Sequence, residues 1–162
     1  MYEVYSPADV NISVGNVNID GWDSISISKS VDNTTRNIGS DGQVGITYTA
    51  DQTGMFELEV QQQNSPVNRM CAAWQQAQDL NKRLVYADIV VTDKSGGVLT
   101  YMKNCYLDTP ADQSLAAEAG SRTWGFFVTK LQYVPDTEGS GTTKAAEALA
   151  AINSILSNSA NK

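Results

Sequence analysis

Histidine is absent from this 162-residue chain, which removes Ser-His-Asp and Cys-His catalysis, the commonest general base and nearly every zinc or iron site. Cysteine is almost absent too. Cys71 and Cys105 stand alone with no partner at CxxC spacing, so neither a redox motif nor a zinc ribbon is present, and the expectation is a reduced thiol pair. No apolar run approaches membrane-spanning length, and Met1 to Pro7 lacks the basic start and apolar core of a signal peptide. The expectation is a protein made and kept in the cytoplasm, with no membrane partner. Basic charge is scarce: 11 Lys and Arg face 18 Asp and Glu, a net charge of -7. Tight nucleic-acid binding, which needs a phosphate-neutralising excess, is thereby disfavoured.

What the chain has instead is neutral polarity. Ser, Thr, Asn and Gln fill 15, 13, 12 and 10 positions, while charged residues reach only 18%. The length suits one domain. Ile12-Ser13-Val14 and Val17-Asn18-Ile19 flank Gly15-Asn16 and predict a tight hairpin. Ser24-Ile25-Ser26-Ile27-Ser28-Lys29 alternates strictly, which puts the isoleucines on one sheet face and the serines on the other. Val31 to Gln43 is polar and glycine-bearing, and reads as a long mobile loop rather than an element. A second hairpin is expected with Val44, Ile46 and Tyr48 on the same apolar face as Phe56, Leu58 and Val60, joined through Asp51-Gln52-Thr53-Gly54.

Ser65-Pro66 resembles an N-cap followed by proline at the first helical position. Val67, Met70, Cys71, Trp74, Ala77 and Leu80 then recur at helical spacing and predict one packed helix, with Val67, Met70, Cys71 and Trp74 in the core. Leu84–Asp93 and Val98–Leu107 flank Lys94-Ser95-Gly96-Gly97 and predict a third hairpin. Ser114 to Ala119 suggests a short helical turn, and Arg122 to Val134 one long strand. Residues 136–141 have linker composition, and 142–162 hold an alanine-rich amphipathic helix with Leu149, Ile152 and Leu156 on its stripe. The fold class is therefore mainly β, a sandwich or barrel of antiparallel hairpins with one packed α-helix and a C-terminal amphipathic helix, and residues 1–135 form its β domain.

The candidates for chemistry are few. Glu57 and Glu59 share one side of a strand about 7 Å apart. That spacing raises a glycosidase pair, but such pairs normally come from two elements across a cleft. Asp32, Asn33 and Asp41 lack the ligand spacing of an EF-hand, and neither glycine-rich stretch carries a phosphate loop's terminal Gly-Lys-Ser/Thr. No cofactor and no enzymatic activity are expected. A sugar- or peptide-binding β-sandwich module is the alternative, with Trp22, Trp124 and Tyr133 as an exposed platform.

Gly15-Asn16-Val17-Asn18-Ile19-Asp20-Gly21-Trp22, alternating Ile25 and Ile27, the long loop, the hairpin with Thr47 and Glu57, and Asn64-Ser65-Pro66-Val67-Asn68 opening a helix follow one another in a telling order. Over residues 8–135 this order resembles phage tail tube proteins, in particular the tube subunits of contractile-tailed phages, which share a fold with the type VI secretion tube. The resemblance implies a virion structural protein assembled in the host cytoplasm, forming hexameric rings that stack into a tube. It further implies a tape measure protein in the lumen, DNA passing later without specific binding, and sheath and baseplate proteins outside. Carried onto this chain, it makes Ser26, Ser28, Thr47, Thr49, Glu57, Glu59 and Gln61 candidates for the lumen wall. Asp32, Asn33, Arg36, Ile38 and Asp41 are candidates for contacts between subunits.

Overall fold

The computed structural model describes residues 6–135 and 150–158. The expected linker 136–141, and the start of the C-terminal helix with Leu149, lie outside the described residues. Strands β1 (Val10–Val14) and β2 (Val17–Ile19) form the first hairpin, with Ile12 opposite Ile19 and Val14 opposite Val17. Strand β3 (Trp22–Lys29) follows. Strands β4 (Thr34–Ile38) and β5 (Val44–Tyr48) pair only with each other, and β6 (Gly54–Gln61) returns to lie beside β3. Helix α1 (Ser65–Asn81) precedes β7 (Ala87–Asp93), β8 (Val98–Thr109), β9 (Ser121–Val128) and β10 (Lys130–Pro135).

The architecture is built on one long ribbon. β8 runs beside β10 through residues 98–103 and beside β9 through residues 106–109. Between these stretches the chain turns, with Asn104 in the left-handed region at φ 50 and its N–H donating to Asp88 Oδ1 at 3.0 Å. Opposite the turn, Thr129 donates its hydroxyl to the Lys103 carbonyl at 2.8 Å. Register against β7 shifts at the same place, the signature of an extra residue that bends a strand. One half of the ribbon then carries β7, β1 and β2, and the other half carries β6 and β3.

The core lies between these halves and under α1. Phe56, Leu58 and Val60 of β6 stand beside Phe126, Trp124 and the Arg122 end of β9 in register, facing Ile12, Ile89, Val91 and Met102. Gly54 is required where β10 crosses the start of β6: a Cβ there would meet the Ser28 carbonyl at 2.8 Å and Leu131 Cδ2 at 2.9 Å. In α1, Val67, Cys71 and Trp74 are buried and Met70 is half-buried against the core. Trp74 packs at a tilt against Phe126, ring centroids 5.2 Å apart, and donates to the Val85 carbonyl at 2.8 Å. Asn68 is buried on the same helix because Trp124 Nε1 donates to its Oδ1 at 3.1 Å and its amide donates to the Gln61 and Gln62 carbonyls. Among the described residues no buried side-chain nitrogen or oxygen lacks a partner.

The structure corrects several expectations. Val31 to Gln43 is not a loop, since Thr34–Ile38 is a strand. Val44, Ile46 and Tyr48 pair with it rather than with β6, and all three are exposed. The helix cap is Asn64, one residue before Ser65, and its amide reaches back to the Asp20 and Gly21 carbonyls instead of capping. Leu80 is exposed because the face turned to the sheet runs through Val67, Cys71, Trp74 and Gln78, whose amide donates to the Leu107 carbonyl, and Leu80 lies off that face. Ser114 to Ala119 forms no helical turn, and the long strand Arg122 to Val134 is broken at Thr129. Trp124 is buried, so no platform of Trp22, Trp124 and Tyr133 exists.

Two predictions follow from this core. Trp74→Ala should lower unfolding free energy by about 3–5 kcal/mol in chemical denaturation, the usual cost of emptying an aromatic site. Burial pushes both thiols up to about 12. An unfolded cysteine loses its proton near pH 8.5 while the folded one keeps it, so stability should be intact below about pH 8 and fall as pH rises towards 12. Denaturation midpoints across pH 7–11 measure this, and replacing both cysteines with alanine should flatten the alkaline slope.

Candidate functional site

The strand alternation that buries Phe56, Leu58 and Val60 turns Met55, Glu57, Glu59 and Gln61 outward. Register extends that face in both directions. On β3, Ser28, Ser26 and Ser24 stand opposite Met55, Glu57 and Glu59. On β9, Phe127, Gly125, Thr123 and Ser121 stand opposite Met55, Glu57, Glu59 and Gln61. The result is a wall of transverse rows. Glu59 ties its own row to the next, because Ser24 opposite it donates to Oε2 at 3.0 Å and Ser121 of the Gln61 row donates to Oε1 at 2.8 Å. One carboxylate thus bridges three strands with both oxygens occupied.

The Glu57 row is more open. Gly125 stands beside it, where a Cβ would meet Thr109 Cβ at 3.1 Å, and a shallow depression is lined by Met55, Glu57, Thr109, Asp112, Ser121 and Thr123. Its chemistry is that of carboxylates and hydroxyls. Among the described residues, no cluster of His, Cys, Asp and Glu could hold a metal ion. The last row is apolar beyond Ser28: Met55, Phe127 and Tyr106 are half-buried and Tyr86 is exposed, with Tyr106 5.4 Å from Phe127 and 6.0 Å from Tyr86. Burial raises the Tyr106 phenol above its ordinary pKa, with the nearby Asp108 charge and Tyr86 adding to the effect.

Of the sequence-predicted wall residues, the structure brings Ser26, Ser28, Glu57, Glu59 and Gln61 onto this face. It does not bring Thr47 and Thr49 there. Thr47 lies in β5 opposite Thr35, and the Thr49 N–H donates to the Asn33 carbonyl at 2.8 Å at the base of the separate hairpin. Ser24, on the same serine face, was not among the candidates, and Ser121 and Thr123 were not legible as part of the wall. The alternation of Thr123 with buried Trp124 marks the strand, but only its register against β6 reveals the face.

The β4–β5 hairpin is the second notable surface. Ile38 and Val44, Arg36 and Ile46, and Thr34 and Tyr48 are paired on one face, with Thr35, Asn37, Gly45 and Thr47 on the other. Ile38, Val44, Ile46 and Tyr48 are all exposed. Asp32 and Asn33 sit at its base, where Lys29 bonds Asn33, whereas Asp41 sits at the tip and accepts from the Gln43 N–H. The five paired positions between them separate base from tip by about 17 Å, so these groups form no common ligand set. No described helix is long and apolar enough to cross a membrane.

Solved structures share this arrangement. The cap that terminates the anti-feeding prophage tube is 14% identical with a TM-score of 0.59, covering 83% of this chain and 93% of that one. The sheath/tube terminator of an extracellular contractile injection system is 13% identical with a TM-score of 0.59, covering 81% and 96%. A chain of the sheath-tube complex of such a system gives 13% and 0.55, covering 80% and 90%. At these identities the likeness is one of fold. No curated protein sequence matches the chain. A family model does: over residues 8–134, most of its length, the sequence matches the bacteriophage PhiTE tail tube protein, and the chain belongs to that family of structural, non-enzymatic proteins.

Proposed function

We propose that this chain forms hexameric rings that stack into the phage tail tube, with the polar face of β3, β6 and β9 lining the lumen. The observation that carries the reading is the four-row outward face, whose polar rows hold Ser, Thr, Gln and Glu and no basic residue. Six copies of Glu57 and Glu59 would make like-charged hoops that phosphate groups pass without sticking. The free edge of β3 supports assembly as well, since an unpaired edge needs protection or a partner and a closed ring supplies one. DNA then traverses the lumen during ejection, after a tape measure protein has occupied it. Sheath and baseplate proteins would contact the outside and end of the tube, and assembly takes place in the host cytoplasm. Residues 1–135 are the tube domain, 136–141 the linker, and 142–162 a C-terminal extension.

The hairpin supports the same reading. A two-stranded ribbon with four exposed apolar side chains is marginal in water by itself, so a neighbouring subunit is its natural cover. Asp32, Asn33, Arg36, Ile38 and Asp41 then become contacts between subunits, placed along its base, one strand and its tip.

Electron microscopy of the purified protein tests the proposal, with rings or tubes of sixfold symmetry expected and a monodisperse monomer at high concentration counting against it. Amide exchange in β4 and β5 should be fast in the isolated subunit and at least tenfold slower in tubes; equal protection would remove the hairpin from the interface. Replacing Glu57 and Glu59 by lysine should leave tubes of normal length, because a water-filled lumen screens charge over about 10 Å at 0.1 M salt. Genome ejection from the mutant phage should be slow at low salt and recover as salt rises. Normal ejection at low salt would move these glutamates off the lumen.

A further inference from the structure

Behind β3 the two halves of the sandwich do not close. A groove of about 390 Å³ opens there, with Val10, Val91 and Val98 on one wall and Trp22, Ile25 and Ile27 on the other. Asp23 and Asp93 also line it. The Asp93 carboxylate is already engaged by the Ser95 hydroxyl and the Gly96 N–H. Val98 and Tyr133, on adjacent strands at this side, are both exposed. An apolar cleft left open in this way is poorly served by water and calls for an apolar occupant.

The same chain displays an unpartnered apolar stripe. Residues 150–158 are helical, and Ile152, Ile155 and Leu156 recur on one side at positions i, i+3 and i+4, all exposed. The helix lies beyond the family match, which ends at residue 134, so the shared tube architecture does not account for it. Its residues are alanine, isoleucine, leucine, serine and asparagine without a single charge. Nothing on it is repelled by Asp23 and Asp93, and its hydroxyl and amide donors suit a carboxylate rim.

Connectivity favours the pairing. Chain tracing leaves the β domain at Pro135, directly opposite Val98 at the lip of the groove. The 14 residues 136–149 span at most about 48 Å fully extended, against a radius of gyration of about 14 Å for a domain of this size. A tether of that length lets the helix extend beyond its own domain to the groove of an adjacent copy. In the single chain Ile152, Ile155 and Leu156 are exposed and the groove is open.

We propose that the helix 150–158 of one subunit docks through Ile152, Ile155 and Leu156 into the groove between β3 and the β1–β7–β8 layer of a second copy. The proposal rests on the self-assembly reading above. Each copy gives one helix and receives one, a head-to-tail contact that closes rings or continues along a stack.

Mixing full-length Ile25→Cys protein with full-length Leu156→Cys protein under a mild thiol oxidant tests it, because only a contact between copies can join the two. The native Cys71 and Cys105 are buried and do not compete. A mixed disulfide dimer on non-reducing electrophoresis is the expected product, reduced at least tenfold when the helix also carries Ile155→Asp. Absence of the mixed dimer, or its insensitivity to Ile155→Asp, overturns the proposal. So does efficient coupling of Ile25→Cys to Ile46→Cys, which would give the groove to a neighbour's hairpin. Wild-type rings seen by microscopy without the mixed disulfide would refute only the helix contact. A mixed disulfide without rings or tubes would refute the tube reading and leave the contact standing.

Discussion

Antiparallel pairing of β6 with β9 is the constraint on which both the core and the candidate wall depend. Because successive side chains point to opposite faces, register fixes two surfaces at once: Leu58 beside Trp124 inside, and Glu59 beside Thr123 outside. A one-residue slip would bury the carboxylates and expose the aromatic core. The Asn68–Trp124 hydrogen bond ties this register to the helix, since the indole N–H finds its buried acceptor only when β9 sits in this position. Shape and surface chemistry are thus products of the same pairing.

The bent ribbon explains how so short a chain makes two layers. β8 belongs to both halves, so no long connection is needed between them, and the bend at Asn104 opposite Thr129 directs one half over the other. The cost of this economy is an incompletely closed sandwich. The gap behind β3 is what remains when two layers hinged on a common strand diverge at the far side.

Much of the fold was legible in the sequence wherever one face is dry and the other wet. The β1–β2 hairpin, the Ser/Ile alternation of β3, helix α1 and the β7–β8 hairpin all carry that contrast. β4 does not, because Thr34–Ile38 lies in a hairpin exposed on both faces and so has no burial pattern to display. Its absence from the reading left Val44, Ile46 and Tyr48 to be matched with the next apolar run. Ser114 to Ala119 misled through composition alone, as a few good helix formers without packing cannot meet the cost of nucleation. Of the wall, the Glu57, Glu59, Ser26 and Ser28 positions were visible as alternation within single strands. Ser24 shares the same alternation, whereas Ser121 and Thr123 join the wall only through pairings spanning tens of residues, which no local pattern encodes.

The Glu59 bridge has a consequence for how freely the side chains of this face can turn. Ser24 and Ser121 each serve one oxygen of the same carboxylate, so the orientation of Glu59 is set by both neighbouring strands at once. Among the described residues Glu57 has no such clamp. Two glutamates separated by a single residue are therefore held differently: the side chain of one is fixed in orientation by two hydroxyls from neighbouring strands, while the other can reorient towards whatever passes it.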